Sequence, residues 1–250
     1  MKISREEKAK THRKIVDSAV QVISKRGFRD ATMKEIAEKA KVGDATIYKY
    51  FATKESLLFA YFEVKTEDLI ESLRAIPDFE QFTFQEQFHA LLEANLENFA
   101  KDRSFIKIAY EGVFLSNWVA TATNSKKCKD RVFEILDDLV TSAVDAGEFE
   151  DPPYKNFFYE LMWDYIVGVT YYWIQDESPK HTNTTQMIDK SLGIIDSALK
   201  SNLLNRVVDF TQFMVREHVL SRMKNDKSAR NFDIPKLKRK FMHKTPDEKH

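Results

Sequence analysis

The stretch "TMKEIAEKAKVGDATIYKYFATKESLL" (residues 32–58) carries two short apolar periodicities separated by a glycine-containing turn. Thr32 followed by Glu35 spells a capping box, and Met33, Ile36, Ala37 and Ala40 recur at the spacing i, i+3, i+4, i+7, which predicts a helix ending by Lys41. Lys41-Val42-Gly43 reads as a tight turn. A second helix opens near Gly43–Asp44, with Ile47 and Phe51 four apart and facing inward. Thr53 then caps a longer helix from Lys54, whose Leu57, Leu58, Tyr61 and Phe62 carry an apolar stripe onward. Upstream, Ile15, Val16, Ala19, Val20 and Ile23 share one helix face, Gly27 ends that helix behind Lys25 and Arg26, and Phe28 folds back onto the core. Two short helices joined by such a turn make a helix-turn-helix, the second of which enters the DNA major groove.

The residues left outside are chemically suited to DNA. Ala45 and Thr46 can meet a thymine methyl, Lys49 can reach a guanine edge or a phosphate, and the hydroxyls of Tyr48 and Tyr50 can bond phosphate. Thr32 and Lys54 stand at helix N-termini, where backbone N–H groups also point at an anion, and are assigned to the DNA backbone.

The same 27 residues resemble the DNA-binding signature of the TetR family of bacterial transcriptional regulators: a threonine-capped helix, a turn, and a segment Tyr-x-(aromatic or His)-Phe-x-x-Lys. The sequence departs from that pattern at Gly43, where the family commonly has serine as the helix cap, and at Ala45, where it often has glycine. The resemblance implies an all-α fold with an N-terminal helix-turn-helix domain and a larger helical bundle for effector binding and dimerisation. It also implies a double-stranded DNA operator and a homodimer, with no cofactor and no metal.

Composition agrees. Of 250 residues 43% are hydrophobic, enough for one or two sizeable cores, and only six Gly and six Pro leave little punctuation for a β-rich fold. The net charge of zero is unevenly spread: residues 1–60 hold 14 basic and 8 acidic residues, 61–199 hold 12 and 25, and 200–250 hold 13 and 6. A basic N-terminal segment on an acidic body fixes the orientation in which DNA is approached. The basic run "KLKRK" (236–240) reads as a solvated tail. The single Cys128 cannot form an internal disulfide, the charged N-terminus does not read as a signal peptide, and the longest apolar run is too short and polar to span a membrane. A cytoplasmic protein without membrane contact is expected.

Beyond residue 56, helix breaks are expected at 76–78, 101–104, 123–126, 146–153 and 177–183. Among the many aromatic residues, Tyr110, Trp118, Trp163 and Tyr171 are candidate lining of an effector pocket. Gly168, which permits close helix approach, and the stripe Ile188, Leu192, Ile195 and Leu199 are candidates for the dimer interface. Leu203, Val207, Phe210 and Met214 predict an extra helix packed on the dimer. The expected domains are 1–53 for DNA, 54–204 for effector and dimerisation, and 205–250 as a helical extension and basic tail. Enzymatic work is not expected: a di-iron bundle needs paired Glu-x-x-His motifs, and only Glu86–His89 is present. The resulting expectation is a repressor released from its operator by a small, largely apolar effector. The alternative is a DNA-binding regulator controlled by a protein partner.

Overall fold

A computed structural model of the chain describes residues 4–114 and 125–214. Among these the order is α1 (Arg5–Arg26), α2 (Met33–Ala40), α3 (Asp44–Tyr50), α4 (Lys54–Arg74), a 3₁₀ turn (Phe79–Gln81), α5 (Phe84–Ala100) and α6 (Arg103–Ala109). A π-helical turn (Tyr110–Phe114) follows, then α7 (Lys126–Asp145), α8 (Lys155–Gln175), a second 3₁₀ turn (Pro179–His181), α9 (Thr182–Lys200) and α10 (Leu203–Met214). No strand occurs among the described residues. Four of the five expected breaks fall near their places, at 75–78, 101–102, 146–154 and 176–178, and the expected break at 123–126 lies partly outside the described residues.

The helices start where side chains can satisfy orphan backbone donors. Ser4 with Glu7, Thr32 with Glu35, Thr53 with Ser56 and Thr83 with Glu86 each form a reciprocal capping box, worth about 1 kcal/mol apiece. At the other end, α2 stops because Lys41 turns left-handed (φ 53°, ψ 45°). Its N–H then reaches the Glu38 carbonyl at 3.1 Å and the next N–H, of Val42, the Ala37 carbonyl at 3.0 Å, the paired bonds of a Schellman close.

Residues up to Ser201 form one compact unit, and α10 belongs to a second. In the first, Ile15, Ile23, Ile36, Ile47, Phe51, Leu57 and Leu58 are buried together, and the same cluster runs on through Phe105, Ile106 and Ala109 to Trp173 and Ile174. The helix-turn-helix therefore shares its core with α6 and the end of α8. In the second unit, α10 leaves Leu203, Val207, Phe210, Phe213 and Met214 exposed.

One expectation about the surface is corrected. Ile188, Leu192 and Leu199 are only 2%, 2% and 5% exposed, and Ile195 is half-buried, because α9 turns this stripe onto α5 and α8 of its own chain. Intramolecular packing takes the most regular apolar face first. Ile194 of α9 stays exposed, and on α8 Phe157, Leu161, Tyr171 and Tyr172 are exposed along with Gly168. The α8 positions recur at helical spacing on one side.

Candidate nucleic-acid interface

Helix α3 is seven residues long and owes its position to two anchors. Ile47 is fully buried and Phe51, just past its end, nearly so, while α2 packs directly against it. Its first turn closes on the Gly43 carbonyl, which accepts from Thr46 N–H at 2.8 Å and Ile47 N–H at 3.1 Å. Gly43 has no side chain with which to cap, and Asp44 in the first turn complements the helix dipole. With Ile47 and Phe51 turned in, Ala45, Tyr48 and Lys49 are exposed, Tyr48 by 57%, and Thr46 and Tyr50 lie half-buried at the margins. The structure thus brings five of the seven predicted DNA-binding residues onto one short helix.

Tyr50 is shared between surface and core. Its ring packs against the buried cluster and lies 6.4 Å from the His12 ring, which in turn stands 4.8 Å from Phe51. Burial lowers the His12 pKa below its ordinary value, with Glu63 opposing the shift and Lys127 adding to it. The His12 imidazole of α1 braces the end of α3, a contact that the sequence did not announce.

The remaining two residues are engaged locally. Thr32 is exposed, but its hydroxyl accepts from Glu35 N–H at 3.2 Å and donates to Glu35 Oε2 at 3.0 Å. Hydrogen bonds from the Thr32 backbone and hydroxyl, and then the nearby Arg26 charge, hold the Glu35 carboxyl below its usual range. Arg26 pairs with Glu35 at 2.9 Å, tying the end of α1 to the start of α2. Lys54, expected at the DNA backbone, is also engaged within the chain. Its Nζ donates to the carbonyls of Phe28 (2.6 Å) and Arg29 (2.9 Å) and lies 5.1 Å from the centre of the Phe28 ring. Behind Gly27 these carbonyls have left the helical ladder, and the half-buried one of Phe28 needs a partner. Lys54 supplies it and fastens the α1–α2 loop to the first turn of α4.

Exposed lysines not singled out by motif flank the unit: Lys34 and Lys39 on α2, and Lys41 in the turn. The signal that marks them is the excess of basic residues over 1–60.

Of the predicted effector residues, Tyr110 and Tyr171 meet. Tyr110 is buried, where burial raises its hydroxyl pKa against a hydrogen bond with Thr170, and its ring stacks on Tyr171 at 6.3 Å. Tyr171 is 40% exposed, Trp163 is half-buried, and Trp118 lies outside the described residues. A cleft of about 580 Å³ opens between α4, α5 and α7, with Ile70, Leu73, Phe79, Ile135 and Leu139 as apolar lining and Arg74 and Glu80 among its polar groups. Tyr110, Trp163 and Tyr171 do not line it.

Comparison with known proteins matches residues 15–61 to the family described as bacterial regulatory proteins, tetR family, and residues 87–214 to the tetracyclin repressor-like C-terminal domain. The chain is 27% identical over 145 residues to the fatty acid metabolism regulator protein of Bacillus subtilis (strain 168), covering 58% of this chain and 74% of that protein. It is 28% identical over 148 residues to the A-factor receptor protein of Streptomyces griseus, covering 56% of this chain and about half, 52%, of that protein. Among solved structures, the transcriptional regulator FadR from Bacillus subtilis in complex with stearoyl-CoA has the same fold, with a TM-score of 0.59 at 22% identity over 72% of this chain and 96% of that one.

Proposed function

The chain belongs to the TetR family of bacterial transcriptional regulators, and we propose that it is a cytoplasmic, dimeric repressor that leaves its operator when a small, largely apolar molecule binds in the helical body. The observation that carries the DNA half of this reading is the outward face of α3. Ala45, Tyr48 and Lys49 project from a helix whose other side is pinned by Ile47 and Phe51. Thr46 and Lys49 read base edges, Tyr48 and Tyr50 take phosphates, and Thr32 sits where the phosphate backbone passes the start of α2. Residues 1–53 serve DNA, 54–204 serve effector and pairing, and 205–250 extend the chain.

A single recognition helix reads a few base pairs, so a two-fold dimer spanning half-sites about 34–36 Å apart supplies the rest of the specificity. The exposed α8 face around Gly168, with Leu161 and Tyr172, is the surface we assign to that contact. Support for an effector with an apolar part comes from a protein of the same fold whose structure holds stearoyl-CoA, an apolar acyl chain on a charged CoA group, and from the aromatic and aliphatic density of the body. No helix among the described residues is long and apolar enough to cross a membrane.

The test is competition binding between a duplex that the protein selects from a random-sequence pool and unselected DNA. Lys49→Ala and Thr46→Ala are expected to lose about 1–3 kcal/mol on the selected duplex and much less on the other. Equal losses on both would move Lys49 to the phosphate class. Titration with stearoyl-CoA, with and without the selected duplex, addresses the effector. Linkage requires DNA to weaken the binding of an inducer. Identical affinities would exclude stearoyl-CoA as inducer, and flat titrations across a panel of apolar ligands would favour control by a protein partner.

A further inference from the structure

The corner between α5 and α6 joins two parts of the molecule through adjacent residues. Asp102 faces α4: its Oδ2 accepts from the Tyr61 hydroxyl at 3.0 Å and pairs with Lys65 Nζ at 3.2 Å. Lys65 Nζ also donates to the Asn98 carbonyl at 2.9 Å, and Asn98 Nδ2 returns a bond to the Lys65 carbonyl at 2.7 Å. One turn on, Asp68 of α4 takes both of its bonds from Arg13 of α1, at 2.8 and 2.6 Å. The corner is therefore fixed to α4, and α4 to the helix that frames the DNA-binding unit.

Arg103 faces the other way. Its Nη2 is directed at the carbonyl oxygens of Trp173 (3.0 Å), Ile174 (2.9 Å) and Asp176 (2.7 Å), and its guanidinium carbon lies 5.4 Å from the centre of the Trp173 ring. These carbonyls lie at the C-terminal end of α8, where the helical ladder runs out of donors and the Trp173 carbonyl also accepts from Asp176 N–H at 3.2 Å. The link that follows is strained. Lys180 and His181, both bearing a Cβ, hold left-handed conformations at φ 55°, which side chains other than glycine disfavour. The Asp176 carboxylate holds the link in place by accepting from Ser178 N–H (2.9 Å), Thr184 N–H (2.9 Å) and the Thr184 hydroxyl (2.6 Å). Strained backbone held by a few specific contacts is the kind of element that supports two arrangements.

We propose that Asp102 and Arg103 form a relay coupling the seating of the DNA-binding unit on α4 to the strained α8–α9 junction, so that DNA binding is felt at residues 173–184. The inference rests on the reading of the chain as a DNA-binding regulator. Neighbouring residues cannot move independently: a shift of α4 that drags Asp102 alters the hold of Arg103 on α8. Coupling of this kind is reciprocal, so an event at the junction also biases the DNA-binding unit.

The experiment is hydrogen exchange of the full chain, read by mass spectrometry, with and without a duplex selected by the protein from a random-sequence pool. The duplex is expected to slow exchange in α3 and, at residues 173–184, by roughly 5-fold or more, the lower end of ordinary coupling. Tyr61→Phe keeps the buried ring and removes one hydroxyl. Arg103→Lys keeps the charge and loses the planar fork. In both variants the duplex is expected still to protect α3 while its effect at 173–184 shrinks. Protection of α3 with no change at 173–184 in the unaltered chain overturns the relay, as does an effect at 173–184 that persists undiminished in both variants. A pool that yields no bound duplex overturns the regulator reading and the relay together.

Discussion

Gly27 holds φ 82° and ψ 162°, a region almost restricted to glycine, and a Cβ there would meet no atom within 4 Å. The cost of Gly27→Ala is therefore backbone strain alone, about 1–3 kcal/mol, and the expected result is a lower thermal midpoint with an unchanged folded spectrum. Gly43 is the opposite case: its φ of −71° suits any residue, and a Cβ would stand 3.8 Å from the Thr46 hydroxyl. Gly43→Ser supplies the missing cap, and stability is expected to rise by a few tenths of a kcal/mol, roughly the difference between serine and glycine at this position. Chemical denaturation reads it. His12 gives a pH dependence with a definite sign. Burial holds its folded pKa below the ordinary 6.5, so between the two values the unfolded chain binds more protons and stability rises with pH. Acidification through 6.5 should erode stability until the folded pKa is passed, and His12→Gln should flatten that segment of the stability–pH curve.

Helices α8 and α9 carry apolar faces with different destinations. Leu192 is buried against its own chain, so Leu192→Ala should cost about 2–5 kcal/mol of folding stability whatever the state of assembly. Leu161 and Tyr172 are exposed on α8, and a charge placed at Leu161 has no folded-state core to disturb. Leu161→Glu is expected to leave the thermal transition of the subunit nearly intact while shifting the sedimentation equilibrium toward monomer. A dimer unaffected by that charge would move the contact away from this face. Helix α3 depends in the same way on its neighbours: at seven residues it is too short to persist alone, and Ile47 and Phe51 make it part of the common core.

Charge is organised over the whole chain. The basic excess of residues 1–60 and the acidic excess of 61–199 give DNA one side to approach. Affinity for the selected duplex should fall with salt at a log–log slope of about −0.9 per phosphate neutralised. Deleting residues 226–250 should leave that slope nearly unchanged; a much shallower slope would place the basic tail on DNA. The core unbroken from α1 to Trp173 makes the second expectation of scale: DNA-binding unit and body should melt together, not in two steps.

The sequence by itself determined the helices, the recognition unit and the family, because these rest on information local to the chain. Thr32 and Glu35, or Ile47 and Phe51, are close enough in sequence for spacing to say what they do. Only the tertiary structure decided what each face meets. Periodicity marks Ile188, Leu192 and Leu199 as apolar without saying whether their partner is this chain or another, and packing put them inside. In the same way, the charge of Lys54 suggests phosphate, and only the fold shows that the carbonyls of Phe28 and Arg29, some 26 positions away in the chain, also reach its ammonium. A side chain's type limits the partners it can accept; which of them lies within 3 Å is settled by the long-range contacts that bury the core.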